Sequence, residues 1–120
     1  MIKILIVDDQ STILASLSYM LRKIATVIPS ESLREAHNAL SRHKFDLIIS
    51  DLRLTGTDGK EGFELLRHVR TTSPETKVII MTGYGDETTR KEAYDLGATH
   101  YYEKPLDISH LLSQVQSLNG

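Results

Sequence analysis

The chain has 120 residues, of which 40% are apolar, and it contains no cysteine. A chain of this length is expected to form one domain, here residues 1–120, and the lack of thiols excludes disulfides, thiolate metal sites and cysteine nucleophiles. The formal net charge is −2 and the basic residues are scattered, which disfavours direct binding to nucleic acid. Apolar runs are at most four residues long, whereas a membrane helix needs about twenty. We therefore expect a cytoplasmic domain without a membrane segment.

Short apolar runs alternate with segments of helical periodicity along the chain. The pattern predicts strands over residues 2–7, 26–28, 47–49, 78–81 and 99–102, the second of them ending at Pro29. It predicts helices over residues 13–24, 33–40, 63–69, 86–96 and 108–118. The helix over residues 86–96 is mostly polar, so we expect it to be exposed and loosely attached.

The first, third and fourth predicted strands are continuous apolar runs rather than alternating ones. Such runs indicate strands that are covered on both faces, as in a parallel sheet between two layers of helices. Five strand–helix units in this order favour an α/β fold with a doubly wound, five-stranded parallel sheet.

Polar residues follow the predicted strands at the ends where such sheets bind ligands. Asp8 and Asp9 follow the first strand, Asp51 the third, Thr82 the fourth and Lys104 the fifth. Each of these residues alone is ordinary in a turn or at a helix cap. Because the carboxyl ends of parallel strands meet at one edge of the sheet, we expect all five to converge there.

The three carboxylates predict a cation at this edge. Two unit charges about 4 Å apart repel by about 4 kcal/mol at an effective dielectric constant of about 20. Either the pKa values of the carboxyl groups rise or a divalent ion binds. Oxygen ligands favour a hard ion, and a few carboxylates completed by water suit Mg²⁺ better than Ca²⁺. Mg²⁺ beside a Lys side chain then indicates a place for a phosphate group.

Motifs of other phosphate and metal chemistries are missing from the sequence. It contains no P-loop, no complete dinucleotide fingerprint, no G-x-S-x-G and no H-E-x-x-H. The histidines lack the spacing of metal ligands and are interpreted as surface or packing residues; they are His37, His43, His68, His100 and His110.

Five segments resemble, in order and spacing, the motifs of response regulator receiver domains of the chemotaxis-regulator type. They are ILIVDDQ, DLIISDLRL, VIIMTGYG, GATHYYEKPL and DISHLLSQV. The resemblance covers essentially the whole chain and implies a flavodoxin-like (βα)5 fold with strand order 2-1-3-4-5. It also implies a phosphoacceptor in two-component signalling, which catalyses only its own phosphorylation and dephosphorylation.

The resemblance implies a role for each residue of the edge. Asp51 would accept the phosphoryl group, and Asp9 and Asp51 would bind Mg²⁺ together with the backbone carbonyl of Arg53. Asp8 would act mainly through water, while Lys104 would pair with Asp51 and with a phosphoryl oxygen. In-line phosphoryl transfer needs such an oxygen nucleophile and positive charge around the phosphoryl group. A cis peptide bond after Lys104 is implied as well.

The same resemblance implies a conformational switch. Thr82 would donate to a phosphoryl oxygen, and Tyr101 would rotate into the space that Thr82 leaves, which would change the polar helix over residues 86–96. Arg53 and Tyr84 would tune hydrolysis of the acyl phosphate. We hypothesise that the bulk of Tyr84 hinders the attacking water.

The implied phosphodonor is a sensor histidine kinase or a phosphotransfer protein. The implied output is a downstream protein target or an effector domain outside this sequence, with a phosphorylation-dependent dimer as one form. The sequence departs from the family pattern at Thr55, where proline is usual. It also has a longer loop before the third helix, with Lys60, Glu61 and Gly62 as the expected extra residues.

Two other functions stay open on the sequence. A Mg²⁺-dependent phosphohydrolase of the haloacid dehalogenase type would also use an aspartyl nucleophile. That class has a D-x-D motif, where this chain has Asp51, Leu52 and Arg53, and it closes a cap domain over its substrate. A binding module that uses the fold without phosphorylation would not need all of the polar residues at the edge.

Overall fold

In the computed structural model, which describes residues 1–54, 60–83 and 85–119, five strands alternate with five helices. The strands are β1 (Lys3–Val7), β2 (Thr26–Ser30), β3 (Leu47–Asp51), β4 (Lys77–Thr82) and β5 (His100–Glu103). The helices are α1 (Ser11–Leu21), α2 (Leu33–Arg42), α3 (Glu61–Thr72), α4 (Glu87–Asp95) and α5 (Ile108–Asn119). Each predicted strand and helix is therefore present, with bounds that differ by a few residues.

The strands form one parallel sheet in the order β2-β1-β3-β4-β5. This order confirms the flavodoxin-like, doubly wound fold. The direction of winding reverses between β1 and β3, which lie next to each other in the sheet. A crevice opens at the carboxyl ends of the strands at such a reversal, and ligands bind there in folds of this kind.

Successive strand residues pack into two different cores. Leu5 lies in the core that includes Phe63 of α3, whereas its neighbours Ile4 and Ile6 lie in the core that includes Leu17 of α1. Both faces of the central strands are thus covered by helices. This burial explains why the apolar runs are continuous rather than alternating.

The structure corrects the prediction for the second strand. Pro29 does not end it but lies inside β2, opposite Ile6 of β1. Proline is tolerated in an edge strand because its missing N–H can face away from the sheet.

The prediction of extra loop residues before α3 is also wrong in part. Glu61 and Gly62 form the first turn of α3, and the N–H of Gly62 donates to the carbonyl of Leu52 at 2.8 Å. A backbone hydrogen bond therefore fixes the start of the helix close to β3. Thr55, the other departure, lies outside the described residues.

Two further features bear on the predictions. The peptide bond between Lys104 and Pro105 is cis, as the family resemblance implies. None of the helices in the described ranges is both long and apolar enough to cross a membrane.

Candidate functional site

The predicted polar residues meet at the carboxyl edge of the sheet. Asp8 follows β1, Asp51 ends β3, Thr82 ends β4 and Lys104 follows β5. Hydrogen bonds of the sheet continue past the strands, because the N–H of Asp8 donates to the carbonyl of Ser30 and that of Lys104 to the carbonyl of Thr82. The backbone at this edge is therefore fixed by the sheet itself.

An open cavity of about 620 Å³ lies over this edge. Its lining includes five of the predicted site residues, namely Asp9, Asp51, Arg53, Thr82 and Lys104. Asp8 is fully buried at the acid cluster, and Tyr101 is buried without contributing to the lining. Tyr84, the predicted neighbour of the cavity mouth, lies outside the described residues.

Lys104 connects two of the carboxylates. Its Nζ lies 3.0 Å from Asp8 Oδ2, 3.1 Å from Asp51 Oδ2 and 2.8 Å from Gln10 Oε1. Burial lowers the pKa of Lys104, but the hydrogen bonds and charges of Asp8 and Asp51 outweigh it and raise the pKa overall. An ammonium group has three N–H donors, so each donor has an acceptor. The positive charge is thus held directly against the buried carboxylates.

Gln10 is a site residue that the sequence analysis missed. Its backbone N–H donates to Asp8 Oδ1 at 2.8 Å while its side chain accepts from Lys104. The available signal was the position two residues after an Asp, where an Asx turn places the backbone N–H against the carboxylate. Its side-chain contact with Lys104 joins residues 94 apart in sequence, which no local pattern shows.

Asp51 has an unusual acidity. Burial and the charge of Asp8 raise the pKa of Asp51 to about 6, although Lys104 and the backbone N–H of Arg53 act in the opposite direction. At pH 7 a group with that pKa is still ionised in roughly nine molecules of ten. The side chain of Asp51 is therefore mostly an ionised carboxylate near neutral pH.

The three carboxylates fit a magnesium ion. One oxygen each of Asp8, Asp9 and Asp51 lies within 4.8 Å of the others, and within the described ranges this is the trio of potential metal ligands that comes together. Octahedral ligands at about 2.1 Å from Mg²⁺ stand about 3 to 4 Å apart. Small side-chain movements would suffice to bring these oxygens around one ion.

The predicted switch residues lie near each other, Thr82 on the lining of the cavity and Tyr101 outside it, and both approach Gly85. Thr82 is fully buried, and Tyr101 is buried with a hydroxyl that has no hydrogen-bond partner among the described residues. Burial, assisted by the charge of Glu103, raises the pKa of Tyr101, so its hydroxyl keeps its proton. A Cβ atom at Gly85 would overlap that hydroxyl, which shows that the missing side chain of Gly85 makes room for the tyrosine.

Comparison with known proteins places this site in a family. The model of the response regulator receiver domain matches residues 4–116. The chain belongs to this family. Receiver domains are phosphoacceptors of two-component signal transduction and bind Mg²⁺ in an acidic pocket. In this chain Asp8, Asp9 and Asp51 form an acidic cluster.

Relatives and solved structures share the whole domain. The receiver domain is 33% identical over 116 residues to sporulation initiation phosphotransferase F of Bacillus subtilis, covering 95% of this chain and 90% of the relative. It is 34% identical over 110 residues to the response regulator protein PilR of Pseudomonas aeruginosa, covering 91% of this chain but only 24% of PilR. A CheY-like receiver domain from Methanospirillum hungatei superposes with a TM-score of 0.89 at 29% identity, covering 99% and 94% of the two chains.

Proposed function

We propose that Asp51 of this receiver domain accepts a phosphoryl group from a phosphohistidine in a Mg²⁺-dependent reaction. The observation that carries the proposal is the buried carboxylate of Asp51, 3.1 Å from the Lys104 ammonium and on the lining of an open cavity. A nucleophile, a fixed cation and access from solvent are thereby combined at one point.

In the proposed reaction, a carboxylate oxygen of Asp51 forms the new O–P bond as the P–N bond of the phosphohistidine breaks. The electron pair of that bond leaves with the imidazole nitrogen, which takes a proton from solvent. Lys104 then balances charge on a phosphoryl oxygen. Mg²⁺ would supply further positive charge beside the phosphoryl group. Asp9, Asp51 and the carbonyl of Arg53 would hold the ion, and Asp8 would act through water.

Lys104 must exchange one of its three partners to reach the phosphoryl group. Releasing Asp8 would leave a fully buried carboxylate without its cation, which is costly. Gln10 is neutral and exposed, so its amide returns to water at little cost. We expect Gln10 to be the partner that is displaced.

The proposed output is a change of the face formed by α4, β5 and α5. Thr82 would donate to the phosphoryl group and Tyr101 would move with it, while Arg53 and Tyr84 would tune hydrolysis. Support comes from the weak attachment of α4, in which Thr89 and Ala93 are the buried residues.

Relatives support the chemistry and the partners. A response regulator from Burkholderia pseudomallei, 25% identical, was solved with a phosphorylated aspartic acid and a calcium ion. An activated receiver domain of NtrC4, 29% identical, was solved as a dimer. We infer that the donor is a sensor histidine kinase or a phosphotransfer protein and that this domain acts in the cytoplasm. The output is a protein target or an effector domain, with a phosphorylation-dependent dimer as one form.

Intact mass spectrometry tests the proposal. Incubation with Mg²⁺ and acetyl phosphate is expected to add one phosphoryl group, and both Asp51→Asn and a chelator should prevent the addition. Repeated turnover of many phosphoesters would instead support a phosphohydrolase. No addition in any condition would support a binding module and contradict the assignment of Asp51.

A further inference from the structure

Two histidines meet across the contact between α2 and α3. The ring centres of His37 and His68 are 4.7 Å apart, with an angle of 82° between the ring planes. Both line a cavity of about 440 Å³, to which His43 also contributes. Neither ring makes a hydrogen bond to another described residue, so the ring nitrogens are available as ligands.

The separation of the rings matches that of two ligands on one ion. Imidazole nitrogens bind Zn²⁺ at about 2.0–2.1 Å and lie ~1.2 Å from the ring centre, so two imidazoles on a tetrahedral ion have centres about 5 Å apart. Imidazole suits Zn²⁺, Ni²⁺ and Cu²⁺ and is a poor ligand for Mg²⁺. We propose that His37 and His68 bind a divalent transition-metal ion that bridges α2 and α3.

A second histidine pair in the same chain lacks these properties. The ring centres of His100 and His110 are 6.0 Å apart. His100 Nε2 lies 2.7 Å from the amide oxygen of Gln114, and His110 Nδ1 lies 2.6 Å from the hydroxyl of Tyr102. One nitrogen of each ring is therefore engaged, and the ring centres are farther apart than the roughly 5 Å expected for two imidazoles on one tetrahedral ion. The pair serves as a matched control of wider spacing.

The proposed site is of moderate affinity and separate from the phosphoacceptor. Within the described ranges, His37 and His68 belong to no group of three His, Asp or Glu residues whose ligand atoms all lie within 4.8 Å of one another, so water would complete the coordination. The ammonium of Lys44 lines the same cavity and opposes a cation. The cavity shares no lining residue with the one over the acid cluster. We expect reversible, micromolar binding that does not depend on Asp51.

Nuclear magnetic resonance with Cu²⁺ as the probe locates the site. In the presence of excess Mg²⁺, paramagnetic broadening is expected around residues 37 and 68. His68→Ala and His37→Ala should each abolish that broadening while any broadening around the acid cluster persists. The double variant of His100→Ala and His110→Ala should leave it unchanged. Broadening that is absent from residues 37 and 68, or that survives both single substitutions, would overturn the proposal.

Calorimetry with Zn²⁺ measures the affinity of the proposed site. Binding is expected to weaken at least about tenfold in His68→Ala, because one of two protein ligands is lost. His68 is exposed, and a thermal unfolding curve in chelator shows whether the variant is folded. His68→Gln, a second variant of similar size, should weaken binding in the same way. Equal affinity in these variants and the wild type would contradict the assignment.

Discussion

The helices α3 and α4 both follow strands that carry site residues, yet they are attached to the domain very differently. The buried residues of α3 are Glu61, Gly62, Phe63, Leu65, Leu66 and Val69. Those of α4 are Thr89 and Ala93. At about 25 cal/mol per Å² of apolar surface, this difference gives α3 several times the hydrophobic anchoring of α4.

Polar contacts at the helix starts follow the same division. The carboxylate of Glu61 accepts from the N–H of Leu54 at 3.2 Å, which ties α3 to the backbone that follows Asp51. At α4, Asp86 caps its own helix, and the hydroxyl of Tyr94 accepts from the N–H of Tyr101 on the edge strand. The helix that follows Asp51 is therefore firmly attached, whereas the helix that follows Thr82 is weakly attached. Weakly packed elements are those that open and move first.

The largest effect is expected from removing the cation that pairs with Asp8 and Asp51. Lys104→Met leaves Asp8 and Asp51 buried without their partner, which should cost about 3 to 5 kcal/mol of unfolding free energy in metal-free buffer. Urea unfolding measures this loss. Addition of Mg²⁺ should restore part of it, because a ligand of the native state stabilises that state.

The matched control for this substitution is Lys91→Met on the exposed surface of α4. It should change stability by less than about 0.5 kcal/mol. Equal losses in the two variants would show that the pairing of Lys104 with the carboxylates contributes nothing to the free energy of unfolding.

The next effect comes from the contact between α3 and β3. A Cβ atom at Gly62 would lie 2.6 Å from the carbonyl oxygen of Asp51 and 2.8 Å from Cα of Leu52. Both neighbours are backbone atoms that cannot turn aside, so Gly62→Ala should cost about 3 kcal/mol, the upper end for overpacking. Thermal unfolding gives the value. Gly83→Ala is the control, since no described residue other than its chain neighbours lies within 4 Å of its added Cβ. Similar values for both variants would disprove the close contact.

Much of this arrangement could be predicted from the sequence, because local patterns determine it. Continuous apolar runs identified the central strands, and the strand ends placed Asp51 and Lys104 at one edge of the sheet. The chemical roles of these residues stay predictions. What the patterns missed depends on neighbours in space: Gln10 acts through a lysine far along the chain, and Pro29 is acceptable only because β2 is an edge strand. The contact of His68 with α2 likewise follows from topology rather than spacing.

The charges of Asp51 and Asp86 should affect the stability of the fold with opposite signs as pH changes. The pKa of Asp51 is about 6 in the folded protein, above its ordinary 3.8, so the folded state binds more protons between these values and gains stability as pH falls through them. Above pH 6 the buried charge is a penalty that Asp51→Asn removes. In chelator at pH 8 the variant should be more stable than the wild type by about 3 kcal/mol, with the difference shrinking towards pH 4.

Asp86→Asn, at the N-cap of the weakly attached helix α4, provides the comparison. The hydrogen bond from the backbone N–H of Thr89 lowers the pKa of Asp86, so its charge contributes stability above the ordinary pKa that is lost as pH falls through the lowered one. The substitution should therefore reduce stability slightly at pH 8, because asparagine is still a good helix cap. Urea unfolding at pH 8 and pH 4 measures the change in the free energy of unfolding for Asp51→Asn and Asp86→Asn. Changes of the same sign in the two variants would contradict the predicted difference between the two carboxylates.

Gly85→Ala is expected to give the smallest change in stability. It is also the most informative substitution about the weakly attached helix α4. The added Cβ would overlap the hydroxyl of Tyr101, which is the far end of a side chain that can rotate outward. Since that hydroxyl has no partner to lose within the part of the chain that the structure describes, the cost should stay below about 1 kcal/mol. The tyrosine would then lose its inward position without any phosphoryl group. Ring signals of Tyr101 should shift and amide exchange in α4 should quicken, whereas Gly83→Ala should change neither. Unchanged amide exchange in α4 after Gly85→Ala would mean that this helix does not respond to the position of Tyr101. The proposed coupling between Tyr101 and α4 would then be wrong.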